Sequence, residues 1–304
     1  MKTLIISDSY DATTDLVTKY IGSENIFRLN FDQFDYSSIQ INNSGVTFTI
    51  KDQTITDKEI SKVYWRKPFN TDIEVDKYVD SELKYIFREI FNLFSNQHKT
   101  VLVIPNIERY IGKILQMTIA EKYFAVPKWE VLLNSESNFG KCIVKSLSSE
   151  IVSNMKVLYT TMVNSEDLDC KYPWQIQELV DADSDLTVVH ISGKNYAFHL
   201  KRNKNNIDWR KEINRNGQKW ELHKLDSIID INIKKYMNEL GLVFGRLDFL
   251  VAKGKYYFLE VNPNGQWAWL DLDNKNGLMA EMIEQISPHT KTYSIVKTFP
   301  TQFV

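Results

Sequence analysis

Apolar and polar positions along the chain follow two periods, and the switches between them mark its elements. Residues 3–7 (TLIIS) form an unbroken apolar run, the pattern of a buried strand, and a helix-like stretch follows at 12–21. Alternation returns at Gly45-Val46-Thr47-Phe48-Thr49-Ile50 and again at Val63-Tyr64-Trp65, which read as strands. From 76 to 96 the apolar residues Val79, Leu83, Ile86, Phe87, Ile90 and Phe94 recur at helical spacing, which predicts one amphipathic helix. Leu102-Val103-Ile104 is a strand stopped by Pro105-Asn106, and residues 1–105 together read as a small α/β unit.

A second helix is expected over 108–124, ending before Pro127. Short strands are expected at 141–145 and 156–160, and the polar stretch 164–171, closing in Tyr172-Pro173, marks a subdomain boundary. Strands follow at 174–180, 187–191 and 195–200. Residues 203–223 are polar, Asn-rich and punctuated by Trp209 and Trp220, so they read as a long loop or insertion. A helix over 227–240 closes with Gly241, and two strands, 243–251 and 256–262, are joined by Lys253-Gly254-Lys255.

Composition narrows the class. At roughly 150 residues per domain, a chain of 304 residues holds about two domains. With 43% hydrophobic and 25% charged residues it is an ordinary globular sequence rather than a disordered or fibrous one. The 37 basic residues against 39 acidic ones leave a net charge of -2, no footprint for nucleic acid or for a polybasic membrane patch. The only cysteines, Cys142 and Cys170, form no C-x-x-C pair, which excludes a disulfide framework and a Cys-rich zinc site and fits a reducing compartment. The apolar run at the N-terminus is too short for a signal-peptide core, and no 18-residue apolar run occurs, so a cytoplasmic protein is expected.

Chemistry concentrates at Gly245-Arg246-Leu247-Asp248-Phe249 and Phe258-Leu259-Glu260-Val261-Asn262-Pro263. With Lys253-Gly254-Lys255 as the hairpin loop, Ala252 faces Tyr256, Asp248 lies opposite Glu260, and Arg246 lies opposite Asn262. Side chains alternate faces along a strand, so these four share one face while Leu247, Phe249, Leu259 and Val261 enter a core. Facing carboxylates with Cβ atoms about 5 Å apart repel each other unless a cation sits between them. The all-oxygen donor set Asp248, Glu260 and Asn262 suits Mg²⁺ better than Zn²⁺, and Arg246 beside it suits an anionic transition state. The plainer alternative is the exposed polar face of an edge hairpin.

These residues resemble the ATP-grasp superfamily, whose C-terminal signature is an Asp on one strand and Glu-x-Asn on the next, all binding magnesium. Gly-Arg-Leu-Asp with Leu-Glu-Val-Asn is similar to the D-alanine–D-alanine ligases. The run Asn262-Pro263-Asn264-Gly265-Gln266-Trp267 is closer to the ATP-grasp ligases that macrocyclise ribosomal peptides, the microviridin or graspetide type. Asp208-Trp209-Arg210 and Trp65-Arg66-Lys67 resemble that family too, although two arginines are usual at the latter site.

The resemblance implies an α/β (α+β) ATP-grasp fold. It places an N-terminal α/β subdomain at 1–105, a central lid subdomain at 106–173, and a C-terminal metal-binding subdomain at 174–304 with a peptide-contacting insertion at 203–223. Lys113 and Lys145 match the two nucleotide-binding lysines. Gln177, Glu178, Leu179 and Val180 match the linker that reads adenine, with Glu178 accepting from the ribose. Asp185-Leu186 matches the family's acidic-Leu pair, but Thr187 stands where an Arg often follows. Arg202 would contact the phosphates or the acyl phosphate. Each residue also has an ordinary reading: solvated surface lysines, a polar strand face, a structural His199, and Trp267 and Trp269 as core or subdomain seam rather than peptide contacts.

The implied activity uses ATP and Mg²⁺ to convert Asp or Glu side chains of a ribosomal precursor peptide (leader plus acidic core) into acyl phosphates. Thr or Ser hydroxyls, or Lys amines, then attack to close ω-ester or ω-amide rings. The runner-up is an ATP-grasp ligase adding a free amino acid to a protein end or a small metabolite. A nucleotide-dependent peptide-binding protein without catalysis is the third reading. A homodimer is what the family suggests.

Overall fold

A computed structural model of the chain describes residues 1–33, 39–50, 52–66, 76–102, 111–135, 137, 139–145, 147, 151–152, 156–157, 161–202 and 219–290. Several expected features lie outside these residues: Lys67, the stretch 103–110, residues 158–160, and most of the insertion, including Asp208-Trp209-Arg210.

The chain opens with β1 (Lys2–Ser7), α1 (Ala12–Ile21) and β2 (Ile26–Asn30), continues through the antiparallel meander β3 (Ile39–Asn42), β4 (Gly45–Ile50) and β5 (Gln53–Thr56), and then runs into β6 (Ile60–Trp65), α2 (Lys77–Asn96) and β7 (Thr100–Val101). Strands β2, β1, β6 and β7 form one parallel sheet in that order. Because β1 is sandwiched, its apolar run is continuous. Leu4 and Ile6 pack with Phe87, Ile90 and Phe94 of α2, while Ile5 packs with Val17 of α1. Asp76 caps α2 by accepting from the N–H groups of Tyr78 and Val79.

Next come α3 (Lys113–Ala120), β8 (Trp129–Leu132), β9 (Lys141–Lys145), the two-stranded β10 (Ile151–Val152) and β11 (Lys156–Val157), β12 (Thr161–Asn164) and β13 (Trp174–Glu178). An antiparallel sheet forms in the order β12-β9-β13-β8. Trp174–Glu178 is therefore hydrogen-bonded inside the central sheet, and the chain leaves that sheet after Glu178 rather than at Tyr172-Pro173. Polarity marked a loop there, but strand pairing decides membership of a sheet. Helix α3 is also shorter than the predicted 108–124, with turns over 121–123.

The third unit comprises β14 (Ser184–Ile191), β15 (Lys194–Lys201), β16 (Glu221–His223), α4 (Ser227–Glu239), β17 (Phe244–Ala252), β18 (Lys255–Asn262) and α5 (Leu278–Ile286). Its antiparallel sheet runs β16-β15-β14-β17-β18. One face carries Leu186, Val188, Leu247 and Phe249 against Ile233, Tyr236 and Met237 of α4. The other carries Val189, Phe198 and Phe244 into a core shared with Met279 and Met282 of α5 and with Ile5, Val17 and Tyr64 of the first unit. Trp267 is fully buried in that shared core and donates its indole N–H to the Tyr64 hydroxyl at 3.3 Å, so it forms the seam between units rather than a peptide contact. Among the described residues no helix is long and apolar enough to cross a membrane.

Candidate active site

The β17–β18 hairpin closes with two residues, not the expected three. Lys253 and Gly254 both take positive φ, 50° and 76°, as a type I′ turn requires, and Ala252 faces Lys255. That shift alone would turn every acid of β18 to the opposite face. A bulge cancels it: Phe249 pairs with Phe258, but the next pair is Asp248 with Glu260, leaving Leu259 as the extra residue. Arg246 again faces Asn262. The acids therefore share a face as predicted, while Phe258, not Leu259, is the side chain that enters the core.

The polar quartet is tied together. Thr187, directly opposite Asp248 on β14, donates to Asp248 Oδ1 at 2.8 Å. Arg246 Nη2 donates to Asp248 Oδ2 at 3.1 Å, and Nη1 donates to the Gln266 carbonyl at 3.1 Å. The Asn262 amide lies 3.4 Å from Glu260 Oε1. The loop after β18 passes close over these residues: a Cβ at Gly265 would fall 2.8 Å from Arg246 Cβ and 3.2 Å from Asn262 Cβ, so glycine is the residue that fits.

Two predicted lysines converge on the hairpin. Lys113, the first residue of α3, places Nζ 3.8 Å from Glu260 Oε2. Burial by itself would raise the Glu260 pKa, but the charges of Lys113 and Lys145, the Asn262 amide and Arg246 outweigh it and hold the carboxyl below its usual range. Gln116 fixes the geometry between α3 and β18, its amide donating to the Ile111 carbonyl and its oxygen accepting the Val261 N–H, each at 3.0 Å. Lys145 lies opposite Gln175 in the central sheet, and Gln177 lies opposite Ile143, so Lys145, Gln175 and Gln177 share a face.

The remaining predicted residues lie at the end of β13 and on β14 and the segment after β15. Glu178 ends β13 and accepts the Lys128 N–H at 3.2 Å, followed by exposed Leu179 and half-buried Val180. Asp185 is buried and pairs with Arg202 at 2.9 Å. Its Cα lies two residues from Thr187, on the same face of β14.

Behind the hairpin lies a buried network that no local sequence pattern marks as one unit. Arg66, fully buried at the end of β6, donates to Asn264 Oδ1 at 2.9 Å and to Gln266 Oε1 at 2.8 Å, and approaches Asp11 Oδ2 at 3.4 Å. Burial favours the protonated Asp11, yet Arg66 and the Ser7 and Thr14 hydroxyls hold its pKa down. The signal in the sequence was Trp65-Arg66, a charge ending an apolar strand.

A hard divalent cation fits this donor set: two facing carboxylates, one carboxamide, and only oxygen atoms. Among the described residues no group of three or more His, Cys, Asp or Glu gathers elsewhere to compete with it. On β13 the buried Gln175 Oε1 and Gln177 Nε2 have no hydrogen-bond partner among the described residues, and the same holds for Arg246 Nε on β17.

No protein-family model matches the sequence, and no curated protein matches it. Solved structures do. A Chryseobacterium gregarium RiPP-associated ATP-grasp ligase, in complex with ADP and a leader and core peptide, is 21% identical over 94% of this chain and 96% of that one, with a TM-score of 0.78. Macrocyclase MdnC from Microcystis aeruginosa, bound with precursor peptide MdnA, is 22% identical over 94% and 99%, with a TM-score of 0.76. A D-alanine–D-alanine ligase from Bacillus anthracis complexed with ATP is 11% identical over 86% and 85%, with a TM-score of 0.51.

Proposed function

We propose that this chain, which has the ATP-grasp fold, is an ADP-forming carboxylate ligase that closes ω-ester or ω-amide rings in a ribosomal precursor peptide. The observation carrying this reading is the convergence of Lys113, Arg246 and Asn262 on the facing pair Asp248 and Glu260. The two solved structures most similar in shape among those described above are peptide-bound, which supports a peptide as the substrate.

A carboxylate at neutral pH is a poor acyl electrophile, so the reaction needs its activation as an acyl phosphate. Phosphoryl transfer asks the protein mainly for positioning and charge neutralisation. Asp248, Glu260 and Asn262 would hold Mg²⁺, which supplies charge neutralisation at the transferring phosphoryl group. Lys113 and Lys145 clamp the phosphates, and residues 177–180 hold the nucleoside. Arg246 donates to the oxyanion that develops as a hydroxyl or amine attacks. Thr187 fixes the rotamer of Asp248 through its hydroxyl. Arg202, aligned by Asp185, lies on the same face for the phosphates or the acyl phosphate.

The test is the intact mass of the peptide encoded beside the gene after incubation with protein, ATP and magnesium. Loss of one water per ring is expected, and Asp248→Asn is expected to abolish it. Gain of an amino-acid residue would support instead a ligase that adds free amino acids. Unchanged peptide mass with ATP turnover indifferent to the peptide would sink the macrocyclase reading.

A further inference from the structure

Two acceptors aim the Arg246 guanidinium. The Gln266 main-chain carbonyl takes Nη1 and the Asp248 carboxylate takes Nη2, each at 3.1 Å. The side chain of the same Gln266 reaches the other way, into the first unit. Its Oε1 accepts from the Thr13 hydroxyl of α1 and from Arg66 Nη2 at the end of β6, each at 2.8 Å. One residue thus holds the first unit at its side chain and the guanidinium at its main chain.

Both donors are themselves fixed by one buried carboxylate. Asp11 Oδ1 accepts the Thr13 N–H at 3.0 Å, capping α1. Asp11 Oδ2 accepts from the Ser7 and Thr14 hydroxyls at 2.8 and 2.9 Å, and Arg66 Nε approaches it at 3.4 Å. Arg66 Nη1 holds Asn264 as well, two residues before Gln266. Between them, Gly265 gives the chain room to pass Arg246 but leaves it free to rotate. The peptide plane that carries the Gln266 carbonyl is therefore set from its two ends, by the clamped Gln266 side chain and by the fully buried Trp267.

We propose that Gln266 is the positioning residue of Arg246: gripped by Thr13 and Arg66, it sets the carbonyl that aims the guanidinium at the developing oxyanion. This rests on the ligase reading above. An oxyanion donor works only when it points where charge will develop, so its aim is part of the rate. Through this chain of hydrogen bonds α1 and β6, which carry none of the metal-binding set, act on the chemical step.

Turnover of the precursor peptide by full-chain variants, with kcat and KM separated, tests this. Gln266→Leu is expected to lose about tenfold in kcat, short of the roughly hundredfold that a misplacement of about 1 Å can cost. KM for the peptide and for MgATP is expected to stay unchanged. Gln266→Glu keeps the doubly accepting oxygen and is expected to restore most of the loss. Thr13→Val removes one donor at nearly constant shape and is expected to show a smaller loss of the same kind. In the Arg246→Ala background, Gln266→Leu is expected to lose nothing further. The Nε–Hε NMR signal of Arg246, identified by its absence in Arg246→Lys, is expected to move in Gln266→Leu and in Thr13→Val. Near-wild-type kcat in Gln266→Leu, a loss that adds in full to that of Arg246→Ala, or an unmoved Arg246 signal would overturn the assignment, and the clamp would then only join the two units. A wild type that leaves the peptide unchanged while the signal still moves would overturn the ligase reading and leave the orientation of Arg246 by Gln266 standing.

Discussion

Asp248 has both carboxylate oxygens engaged, one by the Thr187 hydroxyl and one by the Arg246 guanidinium. This pairing holds the acid in one rotamer on a strand whose other face is packed core, so the oxygens proposed to hold a cation need little reorganisation. Arg246 is anchored in turn by the Gln266 carbonyl, while its Nε has no partner among the described residues. The guanidinium is thus oriented with a donor to spare. An oxyanion donor contributes roughly 2.7–4 kcal/mol to turnover. Arg246→Ala is therefore expected to lose about two orders of magnitude in turnover of the precursor peptide while ADP binding, read by calorimetry, persists. Near-wild-type turnover in that variant would remove Arg246 from the chemistry.

Among the elements, β18 is an edge strand that the rest of the molecule covers at two points. Its Phe258 N–H goes to the Ala125 carbonyl at 2.8 Å and its Val261 N–H to Gln116 at 3.0 Å, which leaves Glu260 presented between two pinned neighbours. Helix α5 is held differently. Lys62 of β6, only 1% exposed, donates to the Gln285 carbonyl at 2.8 Å and to the Thr290 hydroxyl at 2.7 Å, so an ammonium sits at the C-terminal end of the helix. Burial pushes its pKa down to about 8, against a partial upward pull from Glu284. A folded-state pKa below the unfolded value of 10.5 means that the unfolded chain binds the extra proton between the two. Stability then rises with pH across that window and is lowest below it. The stability difference between the wild type and Lys62→Met, measured by urea unfolding, should shift in favour of the wild type from pH 8 to pH 10; a flat difference would show that Lys62 does not titrate there.

At the scale of the whole molecule, the first and third units share one core and one polar joint. Trp267 and Tyr64 meet in the core, and Arg66 fastens β6 to Asn264, Gly265 and Gln266, the loop whose carbonyl holds Arg246. Removing one member of a buried charged network leaves the others desolvated without partners, which typically costs about 3–5 kcal/mol. Arg66→Ala is expected to destabilise the chain by that order in urea unfolding, and Asp11→Ala in the Arg66→Ala background to cost much less than alone. Additive effects of the two would show that Arg66 and Asp11 do not act as a unit.

What the sequence by itself determined follows from local periodicity. The buried run of β1, the amphipathic α2 and the acids and apolar residues of the hairpin are written in spacings of two and of three to four residues, and the facing of Asp248 with Glu260 was legible from them. The two-residue turn and the bulge were not, because each moves the register by one residue and their effects cancel at the acids. Only the tertiary structure decided that Trp174–Glu178 belongs to the central sheet, that Trp267 is a seam, and that Arg66, Gln116 and Thr187 support the site. The contacts of Thr187, Gln116, Arg66 and Trp267 that decide this reach partners 61, 145, 200 and 203 positions away. No local pattern encodes them: which buried polar group finds which partner is fixed only once the sheets have packed.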